Sequence, residues 1–144
     1  MIRRAVASDK LRVLSMAKAF HAASGLPFQF SAAHADALFC ASLVDDDRLC
    51  LVFAPEETTH GVLVAHAGMH PFAPIKVASE LMWWVDPDHR GVSATKMLNA
   101  YETWARERGC KFAGMVGLGA APSTARLYDR RGYAPVERHF MKSL

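Results

Sequence analysis

The sequence predicts an α/β (α+β) fold in a single domain, a mixed central sheet with helices on both faces. Two observations carry this. The segments RLCLVFA (48–54) and GVLVAHA (61–67) flank the polar stretch PEETTH, the pattern of an antiparallel hairpin. Further on, a strand, a long amphipathic helix and another strand follow one another between 77 and 118. That order implies a right-handed crossover and a parallel pair, and hence helices packed against a mixed sheet.

From Asp9 to Ser24, Val13, Met16, Ala17 and Phe20 recur at helical steps. Ser8 or Asp9 is the expected N-cap, and Gly25 with Pro27 is the stop. A second helix is expected from Ser31 to about Leu43, with Ala35, Leu38, Phe39 and Ser42 on one face, broken by Asp45-Asp46-Asp47. The hairpin strands come next, and then VASELMWWV (77–85), closed by Asp86-Pro87. A helix over Ser93–Arg108 has Met97, Leu98, Tyr101, Trp104 and Ala105 as its apolar stripe and Gly109 as its end. Lys111–Leu118 reads as a strand, Pro122–Arg131 as a short helix closed by Gly132, and Tyr133–Met141 as a last strand. The predicted order is ααβββαβαβ, with room for one more short strand at the N-terminus. Trp83, Trp84, Trp104 and Phe112 are expected to pack in the core or against the sheet.

The chain has 144 residues, the size of one domain, so 1–144 is read as a single unit. A hydrophobic fraction of 51% with 22% charged residues excludes a disordered chain. The net charge of +3 is scattered, short of the dense basic stripe that non-specific nucleic-acid binding needs. No apolar run is long enough for a membrane span, and the first residues lack a secretory apolar core. Three cysteines without a CxxC argue against a disulfide framework, and a cytoplasmic setting is expected. His60, His66 and His70 match no ligand spacing, so no metal is expected. The glycines at 114, 117 and 119 lack the pattern of a dinucleotide fingerprint.

The informative segment is ELMWWVDPDHRGVSAT (80–95), a strand running through a tight turn and a loop of small residues into a helix. A helix start of this kind presents free N–H groups and the positive end of the helix dipole, and so suits a phosphate. Arg90 adds a cationic fork. On residues alone, a plain strand–helix connection with Ser93 as N-cap fits as well.

Val85-Asp86-Pro87 followed by Arg90-x-x-Ser93-x-Thr95 resembles the pyrophosphate-binding signature of the GNAT N-acetyltransferase superfamily. That family carries Arg/Gln-x-x-Gly-x-Gly/Ala there, so Ser93 and Thr95 depart from it. Downstream, Leu127-Tyr128-Asp129-Arg130-Arg131-Gly132-Tyr133 is similar to the family's Leu-Tyr-x-x-x-Gly-Phe. The two motifs keep the family's order and separation. The resemblance covers residues 48–141 well and the front helices by order only.

The resemblance implies a GNAT-like sheet splayed between its two parallel strands, at 77–85 and 111–118, with acyl-CoA lying in the gap. It implies an N-acetyltransferase that takes acetyl-CoA as co-substrate and transfers the acyl group directly to a primary amine. Trp83, Trp84 and Val85 would hold the pantetheine through backbone groups, and Arg90, Gly91, Val92, Ser93, Ala94 and Thr95 the pyrophosphate, with Ser123 nearby. Glu80, alone in an apolar strand end, would be the general base. Burial would raise its pKa into a useful range, and the plain alternative is an exposed glutamate on a polar face. Tyr128 would protonate the leaving thiolate or, failing that, pack as a core aromatic. A backbone N–H near Val85 would polarise the thioester carbonyl.

Two rivals stay open at this stage, a CoA-binding sensor or interaction module without turnover and a small basic nucleic-acid-binding domain. The acceptor, a small-molecule amine or a protein or peptide amine, is not specified. The aromatic and proline content of GLPFQF (25–30) and MHPFAP (69–74) implies a partly apolar acceptor mouth. Neither a membrane nor nucleic acid is an expected partner, and a homodimer is compatible with the reading.

Overall fold

The computed structural model describes residues 1–117 and 122–144. Among them, five strands form one sheet in the order β1-β2-β3-β4-β5: β1 (Ile2–Arg4), β2 (Arg48–Phe53), β3 (Gly61–Met69), β4 (Lys76–Val85) and β5 (Cys110–Gly114). The first three junctions are antiparallel and β4–β5 is parallel, as the hairpin and crossover predict. Four α-helices cover the sheet: α1 (Lys10–Ser24), α2 (Ala32–Val44), α3 (Val92–Glu107) and α4 (Pro122–Arg130).

The sheet separates two cores. On one face Val13 and Met16 of α1 and Phe39 of α2 pack on Cys50, Val52 and Val62, with Met82 and Trp84 at the margin. On the other face Met97, Tyr101 and Trp104 of α3 pack on Leu49, Leu51, Leu63, Ala65, Ala78 and Val85. The expected α3 stripe is the one buried. Gly61 opens β3 where a Cβ would stand 3.1 Å from Phe53 Cβ and 3.3 Å from a Val85 methyl, so a side chain there would push β3 off its neighbours.

Two features of β4 open the sheet. Pairing with β5 covers only Lys76 to Ser79, with Ser79 opposite Gly114. Immediately beyond, Glu80 pairs with Ala65 and Met82 with Val64, leaving Leu81 as the extra residue of a β-bulge. From there to Val85 the β5-facing edge of β4 has no strand beside it among the described residues.

Several expectations need correction. The strand expected over 111–118 ends at Gly114, while Leu118 lies outside the described residues. Its backbone groups turn to side chains instead. The Tyr101 hydroxyl donates to Gly114 O (2.8 Å), Val116 N–H donates to Glu80 Oε2 (2.9 Å), and the Tyr128 hydroxyl donates to Val116 O (2.9 Å). The segment 133–141 is not a strand. It finds no sheet edge, Pro135 offers no N–H, and Val136 and Phe140 stay exposed. Phe112 is 66% exposed rather than packed. Asp9 sits at the α1 N-cap without capping it. Its carboxylate takes Arg3 in a two-pronged ion pair (2.7 and 3.0 Å), with Val6 N–H and the Thr59 hydroxyl, and the Arg3 bond above all holds its pKa below the usual carboxylate range. Ser31, by contrast, does cap α2, accepting from His34 N–H.

Candidate active site

The site lies where β4 leaves β5. Glu80 points to the α3 side of the sheet and is only 5% exposed. Burial pushes its carboxyl up to about 7, against the opposing pull of the single Val116 N–H. A carboxyl so placed changes protonation near neutrality, the range a proton acceptor needs. The bulge explains its direction. Plain alternation would put Glu80 beside Met82 and Trp84, but the extra Leu81 puts it with Trp83 and Val85.

Tyr128, on α4, stacks on Trp83 with ring centroids 6.4 Å apart. Its phenol is pushed above its ordinary value by burial first and the neighbouring Glu80 carboxylate second, so it stays protonated at any working pH. Through Val116 the structure joins the two predicted proton handlers. Glu80 receives that residue's N–H, and Tyr128 gives its proton to that residue's carbonyl. Nothing in the sequence signalled this link, because it depends on where β5 stops. Glu80, Tyr128, Phe20, Leu26, Leu81 and Trp83 share a cavity of about 240 Å³.

A second, more open groove of about 520 Å³ continues from it along β4 to the start of α3. Trp83, Trp84, Val85, Arg90, Gly91, Ala94, Thr95 and Ser123 of the predicted set line it. Val92 and Ser93 do not. Val92 is exposed, and the buried Ser93 hydroxyl turns back to His89 O (3.0 Å). The first helical turn meets the groove through Gly91, Ala94 and Thr95 instead. Gly91, the N-cap, adopts φ 132° and ψ −120°, open to glycine alone, and nothing stands within 4 Å of where its Cβ would be. The turn therefore presents bare backbone to the groove, a cradle of the kind a pyrophosphate needs.

Asp86 N–H bonds to His60 O on the β3 side. Alternation then sends the N–H and C=O groups of Trp83 and Val85 to the open edge. Arg90 Nε takes the Val85 carbonyl (2.8 Å), and its guanidinium lies over the Trp84 ring at 4.9 Å. Sequence reasoning assigned Arg90 to an anion but missed these anchors, which hold its planar head beside β4 in the groove lining. Buried Trp83 Nε1 has no partner among the described atoms. The edge amides, the bare helix start and Arg90 together fit the amide-rich, diphosphate-bearing arm of CoA.

The corner under this loop is fixed by Asp86, which bonds His60 Nδ1 (3.0 Å), Trp84 Nε1 (3.1 Å) and Arg12. His60 and His89 stack at 3.7 Å. Among the described residues no group of three or more His, Cys, Asp or Glu could hold a metal ion. No helix there is long and apolar enough to cross a membrane.

The model of the acetyltransferase (GNAT) family matches residues 15–133. No curated protein matches by sequence. Solved structures share the fold at low identity. A transcriptional regulator from Bacillus halodurans C-125 superposes with a TM-score of 0.83 at 17% identity, covering 100% of this chain and 99% of that one. A ribosomal-protein-alanine N-acetyltransferase from Brucella melitensis biovar Abortus 2308 gives 0.74 at 15% identity, covering 100% and 99%. AAC(6')-Iy, solved with the bisubstrate analog CoA-S-monomethyl-acetylneamine, gives 0.78 at 17% identity, covering 100% and 97%.

Proposed function

The chain belongs to the GNAT acetyltransferase family, and from that premise we propose that it is an N-acetyltransferase using acetyl-CoA to acylate a primary amine directly. The observation that carries this is the pairing of Glu80, a carboxyl titrating at about 7, with Tyr128, a phenol that stays protonated, at the mouth of the groove. The family assignment and the CoA-bearing analog in AAC(6')-Iy support the choice of co-substrate.

In this reading Glu80 accepts a proton from the incoming ammonium. The neutral nitrogen attacks the thioester carbonyl, the N–C bond forms, and the C–S bond breaks. The free N–H of Val85, at the open edge of β4, is the donor for the carbonyl oxygen as charge develops on it. The nitrogen of the tetrahedral adduct releases its second proton to solvent as the C–S bond breaks, and Tyr128 gives its proton to the departing sulfur. Glu80 then returns its proton to solvent and Tyr128 regains one. The amide and CoA thiol are the products.

Arg90 and the α3 start supply affinity for the co-substrate. Arg90→Ala is expected to weaken acetyl-CoA binding by about 1–3 kcal/mol, the worth of one charge-assisted contact. Calorimetry checks it, and unchanged affinity removes Arg90 from the anion site. The whole reading is tested by following free thiol from acetyl-CoA with a panel of amines. Binding of acetyl-CoA without thiol release by any amine would leave a CoA-binding module in its place.

A further inference from the structure

We propose that the acceptor is a small primary monoamine carried on an alkyl or aromatic body, with no second positive charge. The proposal rests on the N-acetyltransferase reading and gives that site its substrate class. The cavity holding Glu80 is the place an amine must reach to meet both the base and the bulged edge of β4. Its wall is Phe20 and Leu26 from the α1 side, Leu81 and Trp83 from β4, and Val116 beyond β5. These are apolar bodies at the acceptor's end, and they reward an acceptor that is apolar there too.

The polar side chains lining it are few: Glu80, Tyr128 and Thr124, with the Trp83 indole. Among the described residues, Glu80 is the one carboxylate lining the cavity, and the Tyr128 hydroxyl already bonds Val116 O. Residues 118–121, Leu-Gly-Ala-Ala, carry no charged group. Of the other carboxylates on these elements, Asp129 is exposed and outside the cavity lining, and two more are taken. Asp86 serves Arg12, His60 and Trp84, while Glu102 serves Arg131 and Tyr133. A polyamine or aminosugar would bring several ammonium groups to one carboxylate. Its unpaired charges would be desolvated against Phe20 and Leu26. A peptide N-terminus brings an amide directly behind its amine, and beyond the Thr124 hydroxyl and the Trp83 indole the wall has, among the described residues, no side chain free to bond it. The size agrees, since about 240 Å³ is small for a drug-sized ligand but holds a ring on a short chain.

The test measures kcat/KM by thiol release at fixed acetyl-CoA for four amines: 2-phenylethylamine, 1,4-diaminobutane, neamine and an alanine-initiated tripeptide. The aromatic monoamine is expected to exceed each of the others by roughly tenfold to a hundredfold, the discrimination an apolar pocket gives a ring-sized group. Leu26→Asp, which alters the cavity wall and not the CoA groove, should reverse part of that order. It should lower kcat/KM for 2-phenylethylamine and raise it for 1,4-diaminobutane, with acetyl-CoA affinity unchanged by calorimetry. Preference for the diamine, neamine or the tripeptide in the wild type overturns the acceptor class and leaves the N-acetyltransferase reading standing. Absence of thiol release with all four, while acetyl-CoA still binds, overturns both.

Discussion

Glu80→Gln is expected to lower turnover at pH 8 by about 10²–10⁴-fold, the usual cost of losing a general base, and at the same pH to remove a stability penalty. The two effects share one cause. Glu80 is buried, and its carboxyl is held at about 7 against an ordinary value of 4.5. A raised pKa means that the folded state holds the proton more tightly than the unfolded state does. Its contribution is therefore fully favourable below pH 4.5 and is lost as pH rises to about 7. At 1.36 kcal/mol per pKa unit the swing approaches about 3 kcal/mol. Glutamine keeps an oxygen for the Val116 N–H and never ionises. Denaturant unfolding of both proteins at pH 4.5 and pH 8 should show the variant gaining about 2–3 kcal/mol on wild type across that window. Parallel curves would mean that Glu80 titrates at the same pH in the folded and unfolded states and cannot be the group that titrates near 7. In kinetics, the acidic limb near pH 7 should disappear with the carboxyl. A limb kept in the variant transfers the base to another group or a water.

Tyr128→Phe should slow turnover by about 10²–10⁴-fold, because the thiolate then leaves without a proton. Acetyl-CoA affinity should move little, since the phenol matters chiefly once charge gathers on sulfur. The bond from Tyr128 to Val116 O gives the experiment a second readout. A phenol that acts only by positioning Val116 would, when removed, disturb the N–H that Glu80 receives. The acidic limb would then shift upward. A phenol that acts as the acid leaves that limb in place and lowers the plateau. Equal turnover in variant and wild type makes Tyr128 a packing residue.

Much of this was legible in the residues, and the remainder depended on pairing. The α3 stripe, the Gly109 stop and the hairpin around PEETTH are local patterns, and local physics set them. Glu80 stood out because a charge among Leu81, Met82, Trp83 and Trp84 contradicts its surroundings. The bulge was not legible, since it exists only relative to Val64 and Ala65 on the next strand. Nor was the early end of β5, where two phenols from distant helices take carbonyls that alternation alone would assign to a neighbour. The tail over 133–141 has strand-forming residues, but composition does not supply an edge to pair with. Arg90 was read as a phosphate ligand from its spacing, whereas its grip on Val85 O needed the turn to be built first.

The extra residue in β4 has a consequence for how such a chain can vary. Leu81 is exposed, and its side chain is only part of a cavity wall. What opens the sheet at that point is that a residue is inserted, more than which residue it is. The width of the gap is thus encoded as a length. Substitution at this position alters the lining, while insertion or deletion alters the opening itself. Variants aligned column by column would show a freely changing side chain there and hide a strictly kept count.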